Sequence, residues 1–402
     1  WMTKINIFLL TSILSRIGNA CADYAFVWIG LEALGIHDSA GKVSLVYIGQ
    51  ACGVIFLTPI ISTFFDRFER KAVSVAIDVI YGVVLAASIA IYKLGELDNT
   101  LIFAITAIVA SLGMAHHSSV TIYAFKVLGE GVKKSKIGEK FALTLSLSYF
   151  VGVAVSGTLF EYVGFSYCLL FGILSFFPVM LVYLLVLPKV PSTVQKSFKQ
   201  LLNFAETAKN LFQDKPLFRY TALIAFLNIV ASIFPTILGA NLAIHFPGRT
   251  DIYAYSISIG IFIGIAMTPV LSKFATHLNL KSVLPVFYFP LVALLLLWIA
   301  FPNPYLGIFA FGINCGSSAG INIVSGALRV SRIANERMGR SNTFIAILLF
   351  FGQLIGGVFV LPTLGNETFN SFAVWTMIVV FTLTGVMSLL ILPKNSTEEL
   401  SN

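Results

Sequence analysis

Phe372–Leu392, FAVWTMIVVFTLTGVMSLLIL, runs through twenty-one residues without one Asp, Glu, Lys or Arg. A second run, Val283–Phe301 (VLPVFYFPLVALLLLWIAF), is of the same kind. The hydrocarbon core of a bilayer is about 30 Å thick and takes roughly 20 apolar residues of helix to cross. Backbone polar groups find no partners in lipid, so only helices or closed barrels span it. Barrel strands alternate apolar and polar residues over about ten positions. Neither run alternates, so both read as membrane helices. The whole chain of 402 residues agrees, with 57% hydrophobic and 11% charged residues. A soluble domain holds roughly 45–50% apolar and about 25% charged residues.

Ten further runs of this type are found, giving expected spans at 5–31, 43–65, 72–92, 100–125, 138–160, 165–187, 217–243, 252–274, 282–301, 304–328, 340–363 and 370–392. The fold class is therefore an all-α integral membrane protein of twelve helices. Trp1 precedes the Met2 at which the natural chain is expected to start. No cleavable leader is expected, because the first run is long enough to span and no small-residue cleavage site follows it.

The net charge of +8 would suggest nucleic acid in a soluble protein. Here it has a cheaper reading, orientation in the membrane. With the amino terminus cytoplasmic, only Lys42, Lys93 and Arg249 of the 26 Lys and Arg fall on the far side, and Arg16 lies within a span. Lys126–Lys140, Lys189–Arg219 and Arg329–Arg340 are the richest cytoplasmic segments. The expected location is a bacterial inner membrane with both termini in the cytoplasm. The long polar segment 189–216 divides the chain into a bundle at 1–188 and another at 217–393, with a tail at 394–402. Asn203–Gln213 reads either as an amphipathic surface helix, from Phe204, Leu211 and Phe212, or as a solvated linker.

The halves are related. Thr58–Val73 (TPIISTFFDRFERKAV) and Thr268–Val283 (TPVLSKFATHLNLKSV) share six of sixteen positions, 210 residues apart. Each follows the second span of its half. Gly152–Phe160 (GVAVSGTLF) and Gly352–Val360 (GQLIGGVFV) are a second echo, each in a fifth span. Parallel six-span repeats are found in transporters whose solute site lies between the halves near the midplane.

Asp66-Arg67-Phe68-Glu69-Arg70-Lys71 resembles the loop between the second and third spans of the major facilitator superfamily. With Asp78 beyond it, and with Phe212–Asn228 (FQDKPLFRYTALIAFLN) before the seventh span, the chain is most similar to the branch of macrolide-efflux and siderophore-export proteins. The resemblance implies two six-helix bundles rocking about a central cavity. It also implies that Asp66, Arg67, Arg70 and Lys71 form a cytoplasmic gate, with Asp78 as a partner near it. The alternative is that these cations only set orientation. Two departures stand out. Thr63, Phe64 and Phe65 replace the usual glycine ahead of Asp66, and Thr276 replaces the acid in the second copy. Gly152 and Gly157 of a fifth-span exporter motif are present, but the proline between them is not.

Polar side chains within spans usually face the bundle interior or a water path. Ser12, Arg16, Asn19 and Asp23 share one helical face of the first span, and His116, Ser119, Tyr123 and Lys126 share one of the fourth. Thr221, Asn228 and Ser232 align in the seventh, where Pro235 is expected to break the helix. Asn314, Ser318, Asn322, Ser325, Arg329 and Arg332 form a long stripe in the tenth. Spacing alone thus marks spans one, four, seven and ten. The family fold gives the same four as cavity-lining, with three, six, nine and twelve outside.

The candidate substrate-binding residues are Arg16, Asn19, Asp23, His116, Ser119, Tyr123, Asn228, Asn314, Ser318 and Asn322. Arg16 either binds an anionic group or pairs with another helix. Asp23 and His116 are candidates for proton coupling, or for structural pairing. Glu32 and Glu161 are expected at the outer mouth. His116 and His117 cannot both face the cavity squarely, and the stripe favours His116. No metal site is expected, because Cys21, Cys52, Cys168 and Cys315 lack ligand spacing and no other His joins the pair. No cofactor is expected, since no Gly-x-x-x-x-Gly-Lys-Ser/Thr loop occurs. No catalytic motif is found either, so an enzyme is not expected. The leading expectation is a secondary transporter, working by alternating access, that exports a siderophore-like anion or drug against protons. Import of a polar metabolite or an iron–siderophore complex is the alternative, and a transport-dead receptor is the non-transport one. A small solute, protons and the lipid bilayer are the expected partners, without nucleic acid, for a monomer.

Overall fold

The computed structural model describes residues 2–32, 36–128, 134–187, 204–246, 252, 255–264, 266–267, 280–333, 338–360 and 367–391. The first six spans are Met2–Glu32, Ile36–Phe56 continued by Thr58–Arg67, Arg70–Lys93, Asn99–Leu128, Lys134–Val163 and Phe165–Leu185. A short helix, Ala205–Gln213, leads into the seventh span, Lys215–His245. The eighth is described over Tyr255–Gly264. Leu280–Ala300, Pro304–Arg332, Met338–Val360 and Glu367–Ile391 complete the twelve. They form two six-helix bundles. The second copy of the internal repeat, from Thr268, lies outside the described residues.

Among the described residues, six helices hold windows apolar enough to cross a bilayer, and the bent pair Val43–Phe56 and Thr58–Phe64 makes a seventh. Leu170, Leu174, Phe177, Leu181 and Leu184 expose a helical stripe on the sixth span, and Phe372, Trp375, Val379, Leu383 and Leu390 do so on the twelfth. These are the lipid faces of outer helices. They match the expected outside positions.

Helix starts follow local chemistry. The Asp98 carboxylate accepts from Leu101 N (2.8 Å) and Asn303 Oδ1 from Tyr305 N (2.9 Å), opening the fourth and tenth spans. Asp214 Oδ1 accepts from Leu217 N (3.1 Å) at the seventh. Such caps satisfy amide groups that have no partner in the first turn. Gly164 joins the fifth and sixth spans at φ +91°, a backbone conformation that side chains disfavour.

Two expectations need correction. The second span is not continuous: it bends by 41° between Phe56 and Thr58. Pro59 opens the second piece, where it lacks an amide hydrogen and crowds the preceding turn. Pro235, by contrast, does not break the seventh span, which runs through it unbroken. Neighbouring helices hold membrane helices together across a proline. The segment before the seventh span forms a helix rather than a fully solvated linker. Its Leu211 is buried, and the preceding Phe204 stacks on Phe344 of the eleventh span.

The two halves use glycine alike. Gly152 of the fifth span lies against the Ile17 carbonyl of the first, and Gly352 of the eleventh lies against the Ala225 carbonyl of the seventh. The bundles meet where the second span packs on the seventh and eleventh, and the fifth on the tenth. Ser44 Oγ donates to Gly357 O (2.8 Å), and Gln353 Nε2 donates to Tyr47 O (3.2 Å). Both bonds lie at the end opposite the 66–70 turn.

Candidate functional site

Two polar groups share the interior of the first bundle, and the first span serves both. On one side lies a buried knot. His116 Nδ1 stands 2.6 Å from Asp78 Oδ1, with the two side chains 5% and 1% exposed. Ser15 Oγ stands 3.1 Å from His116 Nε2. Ser74 and Ser119 make a short hydroxyl contact between the same two spans as the Asp78–His116 pair. The His116 ring packs on Phe176 of the sixth span, centroids 4.6 Å apart. Four helices are thus tied together through one imidazole. The demand comes from Asp78, because a buried carboxylate without a partner is very costly.

On the other side of the first span stands an aromatic and charged group. The Arg16 guanidinium lies over the Tyr149 ring of the fifth span, 5.1 Å from its centroid. Cation–π contact of this kind is worth about 0.5–2 kcal/mol, more as water is excluded. Tyr149 meets Tyr24 edge-on at 6.2 Å, and Tyr24 meets Trp28 at 5.7 Å. The Tyr24 hydroxyl also approaches that of Tyr47 in the second span. Asn19 Nδ2 donates to Asp23 Oδ2 (2.7 Å). Gly113 of the fourth span leaves room for the Asn19 amide, which a Cβ there would strike. Trp28 Nε1 donates to Ser156 Oγ (2.8 Å), which donates to Cys21 O (2.9 Å), fixing the first span on the fifth.

Arg16 Nε, Asn19 Oδ1 and Asp23 Oδ1 are buried without hydrogen-bond partners among the described residues. Arg16 and Asp23 make no direct ion pair, as their two-turn separation implies. His117 lies within electrostatic reach of Arg16 in its own half and of Arg329 in the other.

The sequence stripe therefore divides. Arg16, Asn19 and Asp23 come together. His116 and Ser119 turn toward Asp78 and Ser74 inside the first bundle, and it is His117 that feels both halves. Asn314 and Ser318 of the tenth span stay partly accessible at mid-helix, and so does Asn228 of the seventh, whose amide donates to Ile224 O (2.9 Å). The side chains of Tyr123, Lys126 and Asn322 lie outside the described residues, as do those of Glu32, Asp66, Arg67 and Arg70. Lys71 Nζ donates to Leu184 O (2.8 Å) and Leu187 O (3.3 Å), the carbonyl end of the sixth span. That contact stays within one bundle and suits a cation at a helix carboxyl end. Asp78, expected beside the gate, engages His116 instead. Sequence reading missed Ser15, Tyr24, Tyr47 and Tyr149. A stripe of polar residues does not register tyrosines, and Ser15 lies off the stripe.

Twelve helices in two bundles, with a seam of second on eleventh span and fifth on tenth, invite comparison with known proteins. The sequence profile of the Major Facilitator Superfamily matches residues 8–357. The chain belongs to this superfamily. It is a member of a transporter family and not of an enzyme family. Among relatives, a stretch of 164 residues is 27% identical to the multidrug efflux pump Tap of Mycobacterium tuberculosis. That stretch covers 39% of this chain and only 38% of the relative. Among solved structures, a bacterial homologue of the iron transporter ferroportin in its outward-facing state is similar at a TM-score of 0.69 and 18% identity. The human organic anion transporter MFSD10 (TETRAN) gives 0.68 and 11%, and the nucleoside transporter NupG gives 0.64 and 14%. Each match covers 96% of this chain and 98% of the other. At such identities the likeness is one of fold.

Proposed function

We propose that this major facilitator exports a small amphipathic organic solute by alternating access, with protons as the coupling ion. The observation that carries the reading is Arg16, held at mid-helix over the Tyr149 ring without an ion pair among the described residues. A cation left in that position favours an acidic group on the solute, and Tyr24, Tyr47 and Tyr149 offer rings to its apolar part. A siderophore-like anion and an acidic drug share this chemistry. Asn19 orients the Asp23 carboxylate, which takes the coupling proton. Asn228, Asn314 and Ser318 contribute from the second half. The partial likeness to a multidrug efflux pump supports the outward direction. In this reading residues 1–188 and 217–393 move as two bundles joined by 189–216, in a bacterial inner membrane with both termini cytoplasmic. Asp66, Arg67, Arg70 and Lys71 steady one of the alternating states.

A second reading rests on Asp23. Its unpartnered oxygen lies within electrostatic reach of Tyr149 and Tyr81, and a carboxylate beside aromatic rings suits a lipophilic cation. Counterflow in proteoliposomes, with citrate-type siderophores beside lipophilic cations, separates the two. Anion exchange lost in Arg16→Ala and retained in Asp23→Asn supports the first. Cation exchange lost in Asp23→Asn supports the second. Uptake driven by an inward proton gradient would reverse the direction. Failure to exchange any member of either class would leave a receptor in place of a carrier.

A further inference from the structure

The helix Ala205–Gln213 has two faces with separate uses. Leu211 is buried, and the helix packs on the seventh and eleventh spans. The other face is open: Glu206, Lys209, Phe212 and Gln213 are all exposed, and Phe212 is 56% exposed. At helical spacing, Lys209 and Phe212 stand one turn apart on this open side. Two residues later the seventh span begins, and its first exposed residues are Lys215 and Arg219. The Phe212 ring contacts that of Phe218, centroids 4.8 Å apart, so the two helices share one surface. Of the two acids nearby, Asp214 caps Leu217 N and pairs with Arg332 at 3.4 Å, and Glu206 on the open face is outnumbered by Lys209, Lys215 and Arg219.

The level of this surface follows from the apolar segment Lys215–Leu242, 28 residues long where roughly 20 cross the hydrocarbon, so its first turn reaches into the headgroup layer. Lipid phosphates lie at that level. A large exposed aromatic at the boundary belongs to the interfacial belt. Basic residues beside it draw acidic headgroups, each with about fivefold in affinity, the equivalent of about 1 kcal/mol. A protein partner would have to occupy space the headgroups already fill.

We infer that Lys209, Phe212, Lys215 and Arg219 form a docking surface for anionic phospholipid in the adjoining leaflet, the phosphodiester meeting the cations and the glyceride edge meeting Phe212. The surface fastens the segment between the halves to the membrane. It rests on the membrane topology and not on which solute is carried.

The test is native mass spectrometry of the full chain in detergent, titrated with phosphatidylglycerol or phosphatidylcholine. The wild type is expected to retain phosphatidylglycerol in preference. The double variant Lys209→Gln, Lys215→Gln is expected to bind it roughly 25-fold more weakly, with phosphatidylcholine unchanged. Glu206→Lys is expected to bind phosphatidylglycerol more tightly, a gain that misfolding cannot mimic. Equal binding of both lipids by the wild type would overturn the inference. So would unchanged phosphatidylglycerol binding in both the double variant and Glu206→Lys.

Discussion

Asp78 and His116 show how one buried charge organises its surroundings. Removing one partner of a buried pair strands the other, at about 3–5 kcal/mol, whereas removing both costs less. His116→Ala is therefore expected to lower the thermal unfolding midpoint in detergent sharply. Asp78→Ala in that background should recover part of the loss. Additive losses would mean that the pair is not coupled. Glycine gives a second case. A Cβ on Gly152 would meet the Ile17 carbonyl, while one on Gly82 would find its nearest atom, Ile173 Cγ2, at 3.9 Å. Gly152→Ala should cost about 1–3 kcal/mol through overpacking, and Gly82→Ala should leave the same unfolding midpoint nearly unmoved. At this scale the sequence was legible only in part. Spacing brought Arg16, Asn19 and Asp23 onto one face because that is a property of a single helix. It placed His116 toward the cavity because nothing within the fourth span reveals an acid on the third. The pairing of Asp78 is tertiary, and one chain read alone does not contain it.

Elements were far more legible. Apolar runs of span length are set by the thickness of lipid, so most helix ends fall within four residues of the runs that announce them. The second span departs most, beginning at Ile36 and bending beside Pro59. The two prolines show why. Pro59 stands at the start of a helix piece, and Pro235 lies within a helix braced by neighbours: Ser232, one turn before it, donates to Gln353 O of the eleventh span (3.0 Å). Whether a proline bends its helix depends on those neighbours, which periodicity cannot report. The bend at Pro59 lies between the bundle seam at Ser44 and the charged turn at 66–70. Pro59→Ala restores an amide donor and should raise the unfolding midpoint slightly while slowing solute exchange in proteoliposomes. Equal loss of both would mark the proline as merely structural.

At the scale of the molecule, the repeats seen in sequence become a shared way of packing. The glycines at 152 and 352 hold equivalent helix pairs, first on fifth and seventh on eleventh, so each bundle is close-packed internally. The seam between bundles is made differently. Near the end opposite the 66–70 turn it depends on Ser44 bonding to the Gly357 carbonyl, on Gln353 bonding to the Tyr47 carbonyl, and on Gly357 lying against Ile48. Two hydrogen bonds of about 1 kcal/mol each and one glycine contact join the apolar packing of the second span on the seventh and eleventh at this end. The proposed rocking requires this seam to part, since each state must lie within a few kcal/mol of the other. A side chain at position 357 would collide with Ile48 and hold the two spans apart, while the interior of each bundle is left intact. Gly357→Leu is therefore expected to shift the population toward the form open at this end. A cysteine at position 47 should then react faster with a membrane-impermeant maleimide in Gly357→Leu than in the parent, with the unfolding midpoint little changed. The same labelling rate in both proteins would show that the seam at Gly357 does not control the opening.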